Sequence, residues 1–292
     1  MAVWLYVVSS HKGLPVSSEQ TNDYSHFAVG DRLPAWQVVA FNDAVDSGNP
    51  IHEDSVAQRY GFGGGLVPGV TTYGYLLHPV VAAFGLEFLR GGSSSVRLRR
   101  PIYAGETLQI GARVSAVAPD AIAFELEVIN QAEEVCALGN ARLPAVPSAA
   151  RPLPARAHLP SPRRPATPEA LTADPLLGTL ELTQTVAEVT AFLAAAGEDL
   201  SCYRDIVHPA WLLRQANILV DRSVAVGAWV HTASEVRHLG VAQPGDRIVV
   251  RGEVVALSQR KGHDYADIDV YIEGAGPLMR VLHTAIYRLG GG

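Results

Sequence analysis

One short stretch near residue 50 holds the side chains best suited to proton transfer. It contains Asp46, Ser47, Asn49 and His52. A histidine with a carboxylate within hydrogen-bond reach can act as general acid and general base. Because glycine accepts backbone angles that other residues avoid, a bulge at Gly48 can bring Asp46 towards His52. The alternative is that Ser47 takes the place of the acid.

A second candidate element is the start of a predicted helix after Pro68. The first amides of a helix have no acceptor inside the helix, and the positive end of the helix dipole lies beside them. The backbone N–H groups of Gly69 and Val70 are therefore suited to a substrate oxygen on which negative charge develops. Gly69 also has no side chain to obstruct the approach of a substrate.

The chain reads as a duplication. Three landmarks, Val67, Val96 and Gly105, each recur 140 residues later, as Val207, Val236 and Gly245. A proline-rich stretch that begins at residue 151 lies between the copies and predicts an extended linker. The expected units are an extension at 1–27, a first copy at 28–147, a linker at 148–172 and a second copy at 173–292.

Both copies show the same order of predicted elements. A largely apolar helix begins after Pro68-Gly69 in the first copy and after His208-Pro209 in the second, and both are expected to be buried. Alternating apolar residues then predict half-buried antiparallel strands. These strands are expected near residues 107–116 and 122–128 in the first copy, and near 248–254, 268–272 and 278–287 in the second. The predicted class is α+β, with each copy a buried helix wrapped by a curved antiparallel sheet.

The copies differ most just before the helix. Residues 40–57 of the first copy correspond to a stretch from Ala191 that is 11 residues shorter and contains no Asn-Pro-Ile-His. A deletion that the fold tolerates indicates that this loop has a functional role in the first copy. Pro209 stands where the first copy has Gly69, which removes one backbone donor. The first copy is therefore predicted to carry the site, and the second to be degenerate.

Three motifs give the first copy a specific resemblance. They are Asn49-Pro50-Ile51-His52, the stretch Gly65-Leu66-Val67-Pro68-Gly69 and the strand start Arg100-Pro101-Ile102-Tyr103-Ala104-Gly105-Glu106. Together they resemble the MaoC-like, (R)-specific enoyl-CoA hydratase family over about residues 28–145. The resemblance implies a hotdog fold, here in tandem as a double hotdog. The second copy resembles the non-catalytic half, which helps to shape the acyl pocket.

The resemblance also implies a reaction and its residues. Family members add water to, or remove it from, the 2,3 double bond of an enoyl thioester through a Gly-Asp-x-Asn-Pro-x-His motif. Asn49 and His52 match the motif, whereas its aspartate position holds Ser47, and Asp46 lies one residue earlier. Asp46 and His52 are the implied catalytic pair. The substrate and oxyanion contacts are expected from Gly69, Val70, Asn49 and Ser47. No cofactor or metal is implied.

Other interpretations stay open. Arg97 and Arg99 lie on one face of a predicted strand and either contact the phosphates of coenzyme A or form a solvated face. The departure at Ser47 favours a catalytically inactive acyl-binding subunit as an alternative. A hotdog thioesterase and a tailoring enzyme for another unsaturated carbonyl compound are further alternatives.

The amino-acid composition limits the classes of partner and location that we expect for this protein. The net charge of −6 argues against a nucleic-acid-binding surface, and Cys136 and Cys202 lack the spacing of a disulfide framework or zinc site. No apolar run is long enough to span a bilayer, and residues 2–8 are too short for a signal-peptide core. We therefore expect a cytoplasmic enzyme that acts on acyl-CoA or acyl-carrier-protein thioesters, with a homodimer as a further expectation.

Overall fold

A computed structural model describes residues 24–44, 48–147 and 151–290. The first copy contains five strands and two α-helices. In chain order they are β1 (Trp36–Val39), α1 (Asp54–Arg59), α2 (Gly69–Gly91), β2 (Ser93–Leu98), β3 (Thr107–Ala118), β4 (Ala121–Asn130) and β5 (Val135–Leu143). A 3-10 turn (Pro50–His52) precedes α1.

The second copy follows the same plan with additional short elements. In chain order they are β6 (Arg164–Pro165), α3 (Pro168–Ala173), β7 (Leu180–Leu182), α4 (Val186–Ala196), a 3-10 turn (Ser201–Arg204), α5 (Pro209–Ser223), β8 (Val224–Ala225), β9 (Val230–His238), β10 (Ile248–Arg260), β11 (His263–Glu273) and β12 (Pro277–Arg288). Both long helices begin where the sequence predicts. Strand β10 continues past the predicted end at Val254, because a bulge before Ala256 lets it keep pairing with β11.

Ten strands form one antiparallel sheet in the order β1-β3-β4-β5-β2-β9-β12-β11-β10-β7. The second half of this order repeats the first in reverse, as a duplication related by a two-fold axis requires. The halves join where β2 pairs with β9, and Ser95 lies opposite Glu235 there. These two residues are also 140 positions apart, so the repeat distance read from the sequence recurs in the sheet register.

The two long helices form the centre of each half. Helix α2 buries Tyr73, Leu76, Leu77 and Val80 almost completely, and each such burial contributes about 1.5–3 kcal/mol. Alternate residues of β3 and β4 cover this helix, including Leu108, Ile110, Phe124 and Leu126. The α2 helix also packs against α5 of the second copy. At Gly74 a side chain would come within 2.8 Å of the Ala210 Cβ, so glycine allows this close crossing.

The predicted linker is not extended throughout. Its last residues form β6, which pairs with β8, and the start of α3, whose Leu171 is buried. Thr167 caps α3 by accepting a hydrogen bond from the Ala170 amide, and Pro168 occupies the first turn. These helix-start signals lie inside the proline-rich stretch, where the density of proline conceals them. The predicted unit boundaries remain predictions.

The end of the predicted N-terminal extension belongs to the packed structure. Tyr24 is buried against Phe84, and its hydroxyl donates to Glu87 at 3.0 Å. Within the described residues, no helix combines the length and hydropathy that a bilayer crossing requires.

Candidate active site

The loop that carries His52 is held against the second copy by Asn49. The Asn49 side-chain amide donates to the Trp229 carbonyl at 3.0 Å, and its oxygen accepts from the Ile51 amide at 3.2 Å. Asn49 thereby caps the short turn that ends at His52, with Pro50 in its first position. These contacts give Asn49 a loop-holding role, and its partner Trp229 directly precedes β9 of the other copy.

His52 is buried and has a defined orientation. Its Nδ1 lies 2.7 Å from the Leu66 carbonyl oxygen. Since a carbonyl oxygen only accepts, Nδ1 carries the proton and Nε2 of the neutral ring presents a lone pair. Burial lowers the pKa of His52, although the Leu66 contact and the nearby Asp43 act in the opposite direction. The imidazole is thus poised as a neutral base.

Two cavities meet at this histidine. One, which we call the outer cavity, has a volume of about 960 Å³. The other, which we call the inner cavity, has a volume of about 180 Å³. Four residues border both of them, namely Asn49, His52, Asn217 and Trp229. His52 therefore lies at their junction, where Asn217 and Trp229 come from the second copy.

The N-terminus of α2 faces the same space. Gly69 borders the inner cavity and Val70 the outer one. The amides of Thr71 and Thr72 donate to the Pro68 carbonyl, but those of Gly69 and Val70 have no acceptor within the described chain. A Cβ on Gly69 would lie 2.3 Å from Leu98 Cδ1 and 2.5 Å from His231 Nδ1, so any larger residue would require these side chains to move.

The structure adds Asp43, which the sequence analysis did not select. Asp43 borders the outer cavity, accepts from the Thr71 hydroxyl at 2.9 Å and forms an ion pair with Arg214 of α5. Its position in the same loop, nine residues before His52, was an available signal. Arg214 could not be inferred, because the contact depends on how the two copies pack.

The predicted residues Asp46 and Ser47 lie outside the described residues. Gly48, which follows them, has a φ angle of 84°. This is the left-handed region in which glycine is favoured, and the sequence analysis expected such freedom at this position.

The two predicted phosphate contacts, Arg97 and Arg99, differ in their position relative to the cavities at His52. Arg97 and Arg99 border a groove of about 880 Å³ at the junction of the two copies. Of the two, Arg99 also borders the inner cavity, whereas Arg97 borders neither cavity at His52. Arg163 and Arg222, which the sequence analysis did not select, border the outer cavity.

A second polar cluster lies between the copies and away from these cavities. His78 Nδ1 lies 3.1 Å from both carboxylate oxygens of Glu198, and His208 Nε2 lies 3.8 Å from one of them. Burial acts to raise the pKa of Glu198, but the contacts with His208 and His78 lower it to about 2. His78, Glu198 and Asp199 have ligand atoms within 4.8 Å of one another, a grouping that the sequence spacing did not reveal. His78 and Glu198 already bond to each other, which gives the cluster a structural role.

No protein-family model matches this chain, and no curated protein sequence matches it. Solved structures do. A chain from Chloroflexus aurantiacus J-10-fl described as a MaoC domain dehydratase superposes with a TM-score of 0.65 at 13% identity, covering 94% of this chain and 100% of that one. A Mycobacterium tuberculosis protein described as having a double hotdog fold gives 0.55 at 11% identity, covering 91% and 98%. This chain is a double hotdog.

The double hotdog confirms the fold class predicted from the sequence, and the resemblance to MaoC-like proteins is confirmed at the level of fold. A Lactobacillus plantarum structure described as an oleoyl thioesterase is also similar, with a TM-score of 0.52 at 14% identity, covering 89% of this chain and 98% of that one. One fold thus carries more than one described activity. The activity must therefore be argued from the site.

Proposed function

We propose that this double hotdog is a hydro-lyase that adds water to, or removes it from, the 2,3 double bond of an enoyl thioester. The observation that carries the proposal is the junction of the two cavities, where a neutral His52 and the free amides at the start of α2 border the same space. A conjugated thioester needs both features: a base for the water, and donors for the carbonyl oxygen that gains charge.

Each residue then has a defined task. In hydration, His52 Nε2 takes a proton from water as the water oxygen bonds to C3 of the substrate. The electron pair of the double bond moves towards the thioester carbonyl, whose oxygen is held by the amides of Gly69 and Val70. Protonation at C2 completes the 3-hydroxyacyl product, and the proposed donor is His52 or Asp46. Dehydration follows the same steps in reverse.

Asp43 has a different proposed role. Its carboxylate is engaged by Arg214 and by the Thr71 hydroxyl. Because both partners already occupy the carboxylate, Asp43 is proposed to position the loop and the start of α2. Asp46 remains the proposed partner of His52 in proton transfer, with Ser47 as the alternative at that position.

A spectrophotometric assay with short and medium trans-2-enoyl-CoA tests the proposal. Wild type should consume the enoyl absorbance. His52→Ala and Asp46→Asn should abolish the reaction, and Ser47→Ala should not. Product chirality and free thiol are measured together. An unchanged rate in His52→Ala would overturn the proposal.

A thioesterase is the second candidate, because a solved structure described as an oleoyl thioesterase shares this fold. Release of free thiol without hydration would identify it. Binding of acyl-CoA without turnover would instead indicate an acyl-binding subunit, and turnover of an unsaturated carbonyl compound that is not a thioester would indicate a tailoring enzyme.

A separate experiment can determine which cavity holds the coenzyme A part of the substrate. Arg99 and Arg100 border the inner cavity, whereas Arg163 and Arg222 border the outer one. We propose that Arg99 contacts the phosphates of coenzyme A. Arg99→Glu should then raise KM for a CoA thioester more than Arg222→Glu does. A larger rise in KM for Arg222→Glu would place coenzyme A at the outer cavity.

A further inference from the structure

His231 is a polar side chain of the second copy that lies beside the start of α2. It is on β9, is only 5% exposed and borders the inner cavity. Its Nδ1 has no hydrogen bond partner in the part of the chain that the structure describes. A buried polar atom without a partner is costly, so its position beside a cavity points to a ligand group that completes it.

The geometry places this nitrogen beside Gly69. Nδ1 of His231 lies 2.5 Å from the point where a Cβ of Gly69 would be. Covalent geometry separates Cβ and N of one residue by about 2.5 Å, so Nδ1 is within about 5 Å of the Gly69 nitrogen. Two donors that share one oxygen at hydrogen-bond distances of about 2.9 Å can be up to ~5.8 Å apart. The distance therefore allows a single carbonyl oxygen to contact both.

A buried hydrogen-bonded chain can hold His231 in the required tautomer. Its Nε2 lies 2.8 Å from the Ser234 hydroxyl, which lies 3.1 Å from Nδ1 of His283. Burial lowers the pKa of His231 to about 4 against a smaller opposing effect of the Ala233 carbonyl, and burial lowers that of His283 well below its usual value, so both rings are neutral. When Ser234 donates to His231 and accepts from His283, the remaining proton of His231 is on Nδ1.

We propose that His231 is a substrate contact whose Nδ1–H binds the thioester carbonyl oxygen together with the Gly69 amide. The oxygen site is then built from both copies. This inference rests on the function proposed above, and it gives the degenerate copy a direct part in the reaction.

The test uses a thioester that cannot react, namely butyryl-CoA labelled with carbon-13 at the carbonyl. Difference infrared spectroscopy of the bound ligand reports the carbonyl stretch, which moves to lower frequency as donors are added. His231→Leu should lose part of this shift. His231→Asn, which places an amide N–H near the former Nδ1, should keep most of it. His238→Leu is the matched control, because His238 is equally buried on β9 and borders neither cavity.

Kinetics supply the second measurement. In the enoyl-CoA assay, His231→Leu should lower kcat by up to about 10²-fold, as for loss of one oxyanion donor, with little change in KM. His231→Asn should recover much of the rate. An unchanged carbonyl stretch in His231→Leu, or equal losses in the Leu and Asn variants, would overturn the inference.

The outcomes separate this inference from the proposed function. A shifted carbonyl in wild type that His231→Leu diminishes, without hydration of any enoyl-CoA, would support the His231 contact and overturn the hydro-lyase. Hydration by wild type, with the same carbonyl stretch in His231→Leu as in wild type, would support the hydro-lyase and overturn the His231 contact. Failure of wild type to bind butyryl-CoA would overturn both.

Discussion

The start of the central helix is open in the first copy and closed in the second. In α2, Pro68 precedes Gly69 and Val70, whose amides have no acceptor in the described chain. In α5, the aligned Pro209 has no amide hydrogen, and the next amide donates to the His208 ring at 3.1 Å. The same position in a duplicated fold therefore offers two backbone donors in one copy and none in the other.

Under the proposed function, this difference means that the two copies contribute different groups to the site. The first copy supplies the loop of His52 and the backbone donors. The second supplies side chains to the same cavities, including Arg214, Asn217 and Trp229. The closed helix end does not make the second copy a passive support, because its α5 and β9 complete the walls of the site.

Replacing His52 or His208 by alanine should give the largest difference in kcat between the two copies. His52→Ala should lower kcat by about 10³-fold, because it removes the proposed general acid and base. His208→Ala removes the cap of α5 and the contact of the buried ring with Glu198. It should lower the free energy of unfolding by about 1–3 kcal/mol and leave kcat within a few-fold. Enoyl-CoA kinetics and thermal unfolding of both variants test this. Similar losses of kcat would contradict the assignment of the site to the first copy.

A matched pair at the helix starts should show a smaller effect. Gly69→Ala places a methyl group against Leu98 and His231 and obstructs the amides, so kcat should fall by about 10²-fold. Pro209→Ala changes the aligned residue, where the structure assigns no substrate contact, and should leave kcat near wild type. Full activity in Gly69→Ala would remove the start of α2 from the mechanism.

The fold could be predicted because it is encoded locally and twice. The alternation in β3 and β4 and the apolar helices need no distant information, and the repeat distance of 140 residues fixed which segments correspond. The order of the joined sheet is not local. It depends on the pairing of β2 with β9, which no pattern within either strand specifies. Short elements such as α3 were hidden among prolines.

The site was predictable only in part, for a similar reason. His52, Gly69 and Val70 come from the first copy, and their motifs are continuous in sequence. Arg214 borders the outer cavity and His231 the inner one, both from the second copy, and their spacing from His52 has no periodic signature. Asp43 lay in the right loop, but its contacts with Thr71 and Arg214 become visible only when α2 and α5 pack together.

The pH dependence of the reaction tests the protonation state of His52. Below the pKa of His52, kcat/KM should fall by about tenfold per pH unit. Hydration needs neutral His52, and burial lowers its pKa. The acid limb of kcat/KM should therefore have its midpoint below 6.5, the usual histidine value. A midpoint above 7 would contradict a neutral buried base.

Stability must be followed in the same experiment. The pKa values of buried His231 and His238 are lowered to about 4 and about 3. Their folded pKa values lie below the unfolded ones, so this stabilisation is present above about pH 6.5 and is lost as the pH falls towards 3. Circular dichroism at each pH shows whether a loss of rate precedes unfolding.

The smallest expected effect concerns the ion pair that joins the copies. Arg214→Met leaves Asp43 partly buried without its cation, and the side chains of this pair are 21% and 12% exposed. We expect a loss of about 1–3 kcal/mol in the free energy of unfolding, below the range for fully buried pairs, and a several-fold lower kcat/KM. The more exposed pair of Arg113 with Glu125 is the control, and Arg113→Met should cost less than about 1 kcal/mol.

A double-mutant cycle then separates the pair from its parts. Asp43→Asn in the Arg214→Met background removes the unpaired charge while keeping an acceptor for the Thr71 hydroxyl. If the pair acts as a unit, the double variant should be more stable than Arg214→Met alone, and the two losses should not add. Additive losses would mean that Arg214 and Asp43 act independently. The loop of His52 would then be held by Asn49 and Trp229 rather than by this ion pair.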